Sequence, residues 1–370
     1  MNCAVPMEEA AGWMAAFRAR AAERRIPIFA SLELTRRCNY RCVHCYLGEG
    51  RGAARRRSAE ERDADYWRSA LDEWARAGVL TLMITGGEPM LHPGFEAVYR
   101  HAAELGMQVL VFCNGSRITE RTLRLFRELP PRRVEISLYG ATARTFERVT
   151  RAPGSFRRTL DGIRRLLANG TRVALKSVAM TLNAHELDAM ESLARSLGCD
   201  FRYDAAIHGC LEDGSAAPLE WRLPPERVVA LDMAKAERRR QWIEFYRHRQ
   251  AAPPPDRLYP CCAGASAFHA NARGELQPCL LAVRYRCETA GRPFLEVWRD
   301  DLSAIRARRR SKAPAGAARG EWLLGNTCPA FHALEAGDEE RASDYVARLA
   351  RLRREAIERN TGQPGAGGAE

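Results

Sequence analysis

Three thiols stand close together in the run SLELTRRCNYRCVHCY, at Cys38, Cys42 and Cys45. Thiolates on one short loop can grip three irons of a four-iron cluster and leave the fourth iron open to a small-molecule ligand. A structural zinc site with His44 as fourth ligand is the other chemistry this spacing allows. Adjacent His44 and Cys45, however, point at one tetrahedral metal only with difficulty. A second element, Thr85-Gly86-Gly87-Glu88-Pro89, joins two glycines to a carboxylate. The glycines permit a close backbone approach, and free carbonyls with Glu88 offer acceptors for an ammonium group. The same residues also spell an ordinary turn at a strand end. A third group lies far along the chain: Cys261, Cys262, Cys279, Cys287 and Cys328. Cys3, Cys113, Cys199 and Cys210 show no ligand spacing and read as small buried hydrophobes.

These residues need elements to position them. A strand-like run at 29–35 leads into the cysteine loop, and further runs follow at 79–85, 107–113, 132–138, 172–180 and 199–206. Helical patterns lie between them, near 94–105, 118–128, 143–149 with 155–169, and 184–197. Ser58 with Glu61 reads as a capping box for a helix carrying Trp67, Leu71 and Trp74 on one face, which Gly78 stops. Strands alternating with helices argue for a parallel sheet, and six β/α units suit an incomplete barrel whose reactive groups sit at the C-terminal strand ends. The fold class is therefore α/β: a partial (β/α)6 TIM-type barrel with a small cysteine-containing C-terminal extension built of a β-hairpin plus helices. The expected division is an N-terminal helix (1–28), the barrel (29–206), a linker and helix (207–258), the extension (259–359) and a disordered tail (360–370).

Composition sets the outer limits. The chain has 370 residues, is 46% hydrophobic and carries 58 Lys+Arg against 46 Asp+Glu, a net charge of +12. Disordered, collagen-like and disulfide-rich classes are excluded. No apolar run is long enough for a membrane span, and Glu8 and Glu9 stand where a secretory signal needs positive charge, so a cytoplasmic protein is expected. In a reducing compartment several of the 12 cysteines are expected to serve metal rather than cross-links. Nearly all the positive charge is arginine. Runs such as Arg238 to Arg240 could meet nucleic acid or an acidic peptide, but scattered arginines are ordinarily a solvated face, which argues against nucleic acid.

CxxxCxxC after the first strand of a β/α barrel, with GGEP at the end of the second, resembles the radical S-adenosylmethionine (radical SAM) enzymes. The resemblance implies that Cys38, Cys42 and Cys45 hold a 4Fe-4S cluster whose open iron is chelated by the amino and carboxylate groups of SAM. Gly86, Gly87, Glu88 and Pro89 would receive the SAM amino group. Cys113-Asn114-Gly115 is similar to the family's NG turn beside the cofactor, and the Ser137 strand to its ribose-contacting strand. Lys176, a lysine on a barrel strand in an arginine-rich chain, would pair with the SAM carboxylate or form an edge salt bridge. His44 and Tyr46 would pack on the adenine or belong to the core. One electron from a ferredoxin or flavodoxin then cleaves SAM to methionine and a 5′-deoxyadenosyl radical, which abstracts a substrate hydrogen atom.

The stretch from Cys262 through Gly274 to Cys279 resembles the opening of SPASM and twitch extensions, whose cysteines hold auxiliary iron–sulfur clusters. Gly274 suits the hairpin turn. A full SPASM set has more cysteines than this chain offers, so one auxiliary cluster is expected. Its ligands would be Cys262, Cys279 and Cys328, completed by Cys261, Cys287 or a non-cysteine group; loss of the metal with retention of the hairpin is the alternative. The resemblance makes a peptide in natural-product maturation the leading substrate. A small-molecule cofactor or metabolite precursor comes second, and a non-catalytic iron–sulfur protein third. The 28 residues before the barrel are too few for a leader-peptide domain, so a peptide substrate implies a separate carrier protein or direct recognition by the arginine-rich surface.

Overall fold

The computed structural model describes residues 7–48, 61–316 and 320–362. Helix α1 (Met7–Glu23) precedes β1 (Phe29–Thr35), which carries the cysteine loop at its C-terminal end. The succession is then α2 (Ala64–Ala77), β2 (Thr81–Gly86), α3 (Phe95–Glu104), β3 (Gln108–Cys113), α4 (Glu120–Glu128) and β4 (Arg133–Ser137). Two helices, α5 (Ala143–Thr150) and α6 (Ser155–Ala168), lead to β5 (Val173–Val178), α7 (Leu187–Ser196) and β6 (Asp200–Asp204). The six expected strands and the helices between them are all present. Helices α8 (Pro225–Ala234) and α9 (Ala236–Arg249) occupy the linker. The extension contributes β7 (Ala267–Ala270), β8 (Leu276–Gln277), α10 (Phe294–Arg299), α11 (Asp301–Ala307), α12 (Pro329–Ala336) and α13 (Asp344–Thr361).

One eight-stranded sheet runs in the order β6-β5-β4-β3-β2-β1-β7-β8. The hairpin of the extension is thus part of the barrel sheet: β7 lies parallel to β1, with Phe29 opposite Ala267 and Leu32 opposite Ala270. β8 then returns antiparallel, His269 facing Gln277. Gly274 makes the turn at φ 86°, as expected. Alternation along β1 sends Ala30, Leu32 and Leu34 into the main core with Trp67, Leu71 and Trp74 of α2. The opposite face carries Ser31, Glu33 and Thr35, all buried. Ser31 Oγ lies 3.1 Å from His269 Nδ1, joining barrel to extension.

The capping box is corrected. Ser58 lies outside the described residues, and α2 begins at Ala64 with Asp63 as its cap, the Asp63 carboxylate accepting from Tyr66 N at 2.9 Å. Glu61 serves the cysteine loop instead. Its carboxylate accepts from Thr35 Oγ1 at 2.9 Å and Arg36 N at 2.8 Å, and pairs with Arg37 at 3.2 Å. The first residues of the tail are also revised: α13 continues to Thr361, and its Tyr345, Leu349 and Leu352 pack against the core; residues 363–370 lie outside the described residues. No described helix is long and apolar enough to cross a membrane.

Candidate active site

The register of β1 on β2 breaks between Glu33 and Thr35, a bulge that turns the chain out of the sheet where the cysteine loop begins. Gly86 and Gly87 receive the departing chain. A Cβ on Gly86 would lie 2.2 Å from Thr35 O, and one on Gly87 2.5 Å from Arg37 O. The close approach these glycines permit is therefore to the cysteine loop itself. Gly87 N donates to Thr35 O and Glu88 N to Arg37 O, each at 2.8 Å. The far side of the loop is tied to α5: Arg41 N donates to Thr150 O at 2.8 Å and Val43 N to Val149 O at 2.9 Å. The Tyr40 hydroxyl anchors the middle on Ser155 O at 3.1 Å.

The loop so fixed faces a cavity of about 240 Å³ at the C-terminal end of the strands. Cys38, Cys42 and Cys45 line it together with Gly86, Gly87, Asn114, Ser137 and Lys176. His44 and Tyr46 line it too, with the His44 ring edge-on to Tyr139 at 4.6 Å between centroids. Burial holds His44 neutral, its pKa lowered to about 4. Cys38 opens onto the cavity, yet the surrounding protein pushes its thiol up to about 12, with smaller contributions from Glu88 and Cys45.

Two members of the expected set stand behind the wall. Glu88 is 0% exposed and spends its carboxylate on the backbone, accepting from Asn114 N at 2.8 Å and Met90 N at 3.3 Å. Pro89 is buried as the first residue of a short 3-10 turn. Glu88 therefore positions Asn114, whose amide Nδ2 donates to Asn39 Oδ1 at 2.9 Å and lies 3.9 Å from Cys38 Sγ. Burial raises Glu88 to about 7.

Lys176 Nζ sits 3.8 Å above the Phe112 ring, a cation–π contact inside the cavity. Burial lowers its pKa and neighbouring Glu135 opposes that shift. Glu135 is itself paired with Arg133 and, at 2.5 Å, with Arg202. Glu135 and Tyr139 were not singled out from the sequence. The signal was present: residues 135, 137 and 139 alternate along β4 and its continuation, so they share the Ser137 face. Cys113 also lines the cavity, and buried Cys210 lies with its thiol 3.8 Å from Cys45 O.

The extension gathers a second set of thiols. Cys279 and Cys328 pack beside Leu258, Tyr259, Ala282 and Ala330. Cys328 and Cys261 both act electrostatically on Cys279, which burial raises to about 12. Cys261 also acts on Cys328 and on Cys262. Cys261 is thus the member that reaches all the others. Cys287 stands apart, bridging backbone to Leu276 and under the influence of Asp301 and Arg292. Among the described residues no group of three His, Cys, Asp or Glu is gathered as ligands of a single metal ion. A multi-iron group needs a looser set, because each thiolate binds a different iron. The donor chemistry of both thiol sets fits such a group, and Cys38, Cys42 and Cys45 share one cavity.

The model of the radical SAM superfamily matches residues 32–197. The chain is 31% identical over 173 residues to the AdoMet-dependent heme synthase of Methanosarcina barkeri, covering 46% of this chain and 48% of that protein. It is 30% identical over 215 residues to the PqqA peptide cyclase of Ruegeria pomeroyi, covering 58% and 56%. The chain thus spans about half the length of these relatives. Its fold is shared with the crystal structure of Streptococcus suis SuiB bound to precursor peptide SuiA, at TM-score 0.70 and 15% identity, over 91% of this chain and 80% of that one. The match begins on β1, spans the cysteine loop and the GGEP turn, and ends after α7, so it is this stretch of the chain that is similar to the radical SAM superfamily.

Proposed function

We propose that this protein is a radical SAM enzyme that modifies a peptide. The observation that carries the reading is the convergence of Cys38, Cys42 and Cys45 with Gly86, Gly87, Asn114, Ser137 and Lys176 on one cavity. Cys38, Cys42 and Cys45 would hold a 4Fe-4S cluster, and the cavity beside them would hold SAM. Together these groups supply one-electron reductive cleavage of SAM and a radical able to take hydrogen from an unreactive C–H bond.

The chain's own part is positional and electrostatic. Glu61, Gly87 and the α5 backbone fix the cysteine loop from both sides. Asn114 holds the Cys38 end through Asn39, and Glu88 holds Asn114. Lys176 offers a cation for the SAM carboxylate, Ser137 a hydroxyl for the ribose, and His44 an uncharged ring beside Tyr139. Phe112, Tyr139 and Phe146 supply aromatic walls to the cavity. Cys261, Cys279 and Cys328, with Cys262 adjacent, would hold one auxiliary iron–sulfur cluster.

The relative named as a peptide cyclase and the fold shared with a peptide-bound protein support a peptide substrate. A ferredoxin or flavodoxin would supply electrons, and a carrier protein could deliver the peptide. A small-molecule substrate is the second reading, favoured by the relative named as a heme synthase. Incubating the anaerobically reconstituted protein with SAM and dithionite tests the enzyme reading. 5′-Deoxyadenosine should accumulate with the wild type and be absent for Cys42→Ala; equal yields from both would refute it.

A further inference from the structure

A four-iron group bound at Cys261, Cys279 and Cys328 has one iron still to be held. Neither remaining thiol of the extension suits it. Cys262 adjoins Cys261, and neighbouring residues point at one small group only with difficulty. Cys287 packs on the main core rather than with Cys279 and Cys328. Its backbone is tied to β8, Cys287 N donating to Leu276 O at 2.8 Å. A donor other than a thiol stands beside Cys328.

Cys328 caps α12, and His332 lies one turn further on, its N donating to Cys328 O at 3.0 Å. Side chains on a helix lean toward its N-terminus, so residues four apart share a face. The His332 ring follows that rule: its Nε2 lies 2.6 Å from Asn326 O, two residues before Cys328. A backbone carbonyl can only accept, so Nε2 carries the proton and Nδ1 the lone pair. Cys328 is held to the same asparagine, its N donating to Asn326 Oδ1 at 3.0 Å. His332 is 5% exposed, and its Nδ1 is buried with no hydrogen-bond partner among the described residues. A buried acceptor left unmatched is costly. An imidazole that binds metal has this arrangement, one nitrogen tied to a carbonyl and the other bare.

We propose that His332 Nδ1 is the fourth ligand of the auxiliary iron–sulfur cluster, beside Cys261, Cys279 and Cys328. The inference rests on the auxiliary site of the proposed function. The imidazole gives its lone pair to one iron and keeps its proton on Nε2, so no proton is released and no electron moves. Cys328 packs with Cys279, which places the His332 turn against the thiol set. A neutral donor in place of a thiolate leaves the cluster with one negative charge fewer. Reduction is then easier, as in clusters where histidine replaces cysteine.

The test reads nitrogen hyperfine coupling by pulsed electron paramagnetic resonance on the dithionite-reduced holoprotein without SAM, with ordinary histidine and with histidine carrying heavy nitrogen. The wild type is compared with the Cys38/Cys42/Cys45 triple-Ala variant and with His332→Cys. A coupling that changes with the label should appear in the wild type and persist in the triple variant, whose remaining iron is that of the extension. His332→Cys should keep its iron, lose this coupling and show a lower midpoint potential for the extension cluster. Absence of a label-sensitive coupling from the wild type, or its survival in His332→Cys, would overturn the proposal. So would its loss from the triple variant while iron remains there, which would assign the nitrogen to His44. The wild type and the triple variant decide the question even where His332→Cys binds less iron. A triple variant without iron would refute the auxiliary site and this ligand with it, whereas iron without the coupling refutes the ligand alone.

Discussion

The two thiol sites are built from opposite surroundings. The loop of Cys38, Cys42 and Cys45 faces an aromatic cavity at the strand ends, where the charged group acting most directly on Cys38 is Glu88. Cys262 lies at the surface under the influence of Arg306 and Arg18. The first arrangement sets its thiols on a cavity walled by aromatic side chains, with Cys38 exposed to it; in the second, Cys261 and Cys262 are exposed at the extension. The sheet holds the two together, because β7 of the extension is laid directly on β1 of the barrel. A single strand thus carries one thiol site at its C-terminal end and supports the hairpin of the other along its side.

The contrast can be broken first at the glycines, where the largest effect is expected. On Gly87 a methyl group would meet the Arg37 carbonyl at 2.5 Å, backbone against backbone with no side chain to yield. Gly87→Ala should cost about 3 kcal/mol and dislodge the cysteine loop with its iron. On Gly274 the methyl meets the Tyr66 hydroxyl at 2.4 Å, the movable end of a side chain, and the strain is that of φ 86°. Gly274→Ala should cost about 1 kcal/mol and leave the loop's iron in place. Urea midpoints with iron analysis separate the two, and equal losses would contradict the account of the loop's bracing.

A smaller effect sharpens the comparison at the strand the sites share. Glu33 is buried on the polar face of β1 and raised to about 7, mainly by burial, with Arg36 opposing at 3.6 Å. A folded-state pKa above the unfolded value means that the native protein binds the extra proton between about pH 4.5 and 7. Stability contributed by protonated Glu33 is therefore greatest at the acid end of this window and is lost as pH rises through 7. Glu33→Gln should flatten the fall of the urea midpoint over that range; an unchanged slope would show that Glu33 is not the titrating group.

Much of the barrel was legible in the sequence. Each of β1 to β6 lies within two residues of its strand-like run, and β1 to β5 do so because buried parallel strands bounded by helices announce themselves through composition. The cysteine loop and Gly274 were equally plain, since spacing and backbone demands are local. What was hidden depends on partners distant in sequence. Nothing in the run around Ala267 says that it pairs with Phe29, and nothing near Glu61 says that it grips Thr35 rather than capping α2. Glu88 was read as facing a ligand, whereas the nearby Asn114 amide, which only the folded sheet brings within reach, claims its carboxylate. Among the extension cysteines, spacing pointed to Cys262, Cys279 and Cys328, with Cys261 or Cys287 to complete the set, and in the fold Cys261 acts electrostatically on Cys262, Cys279 and Cys328.

The central claim is that two independent thiol sites hold two iron–sulfur groups, one of which activates SAM. Iron and sulfide analysis of the anaerobically reconstituted wild type beside the Cys38/Cys42/Cys45 triple-Ala variant tests it most directly. The account predicts about eight irons falling to about four, with all 5′-deoxyadenosine formation lost. An unchanged iron content in the triple variant, or cleavage of SAM persisting in it, would contradict it.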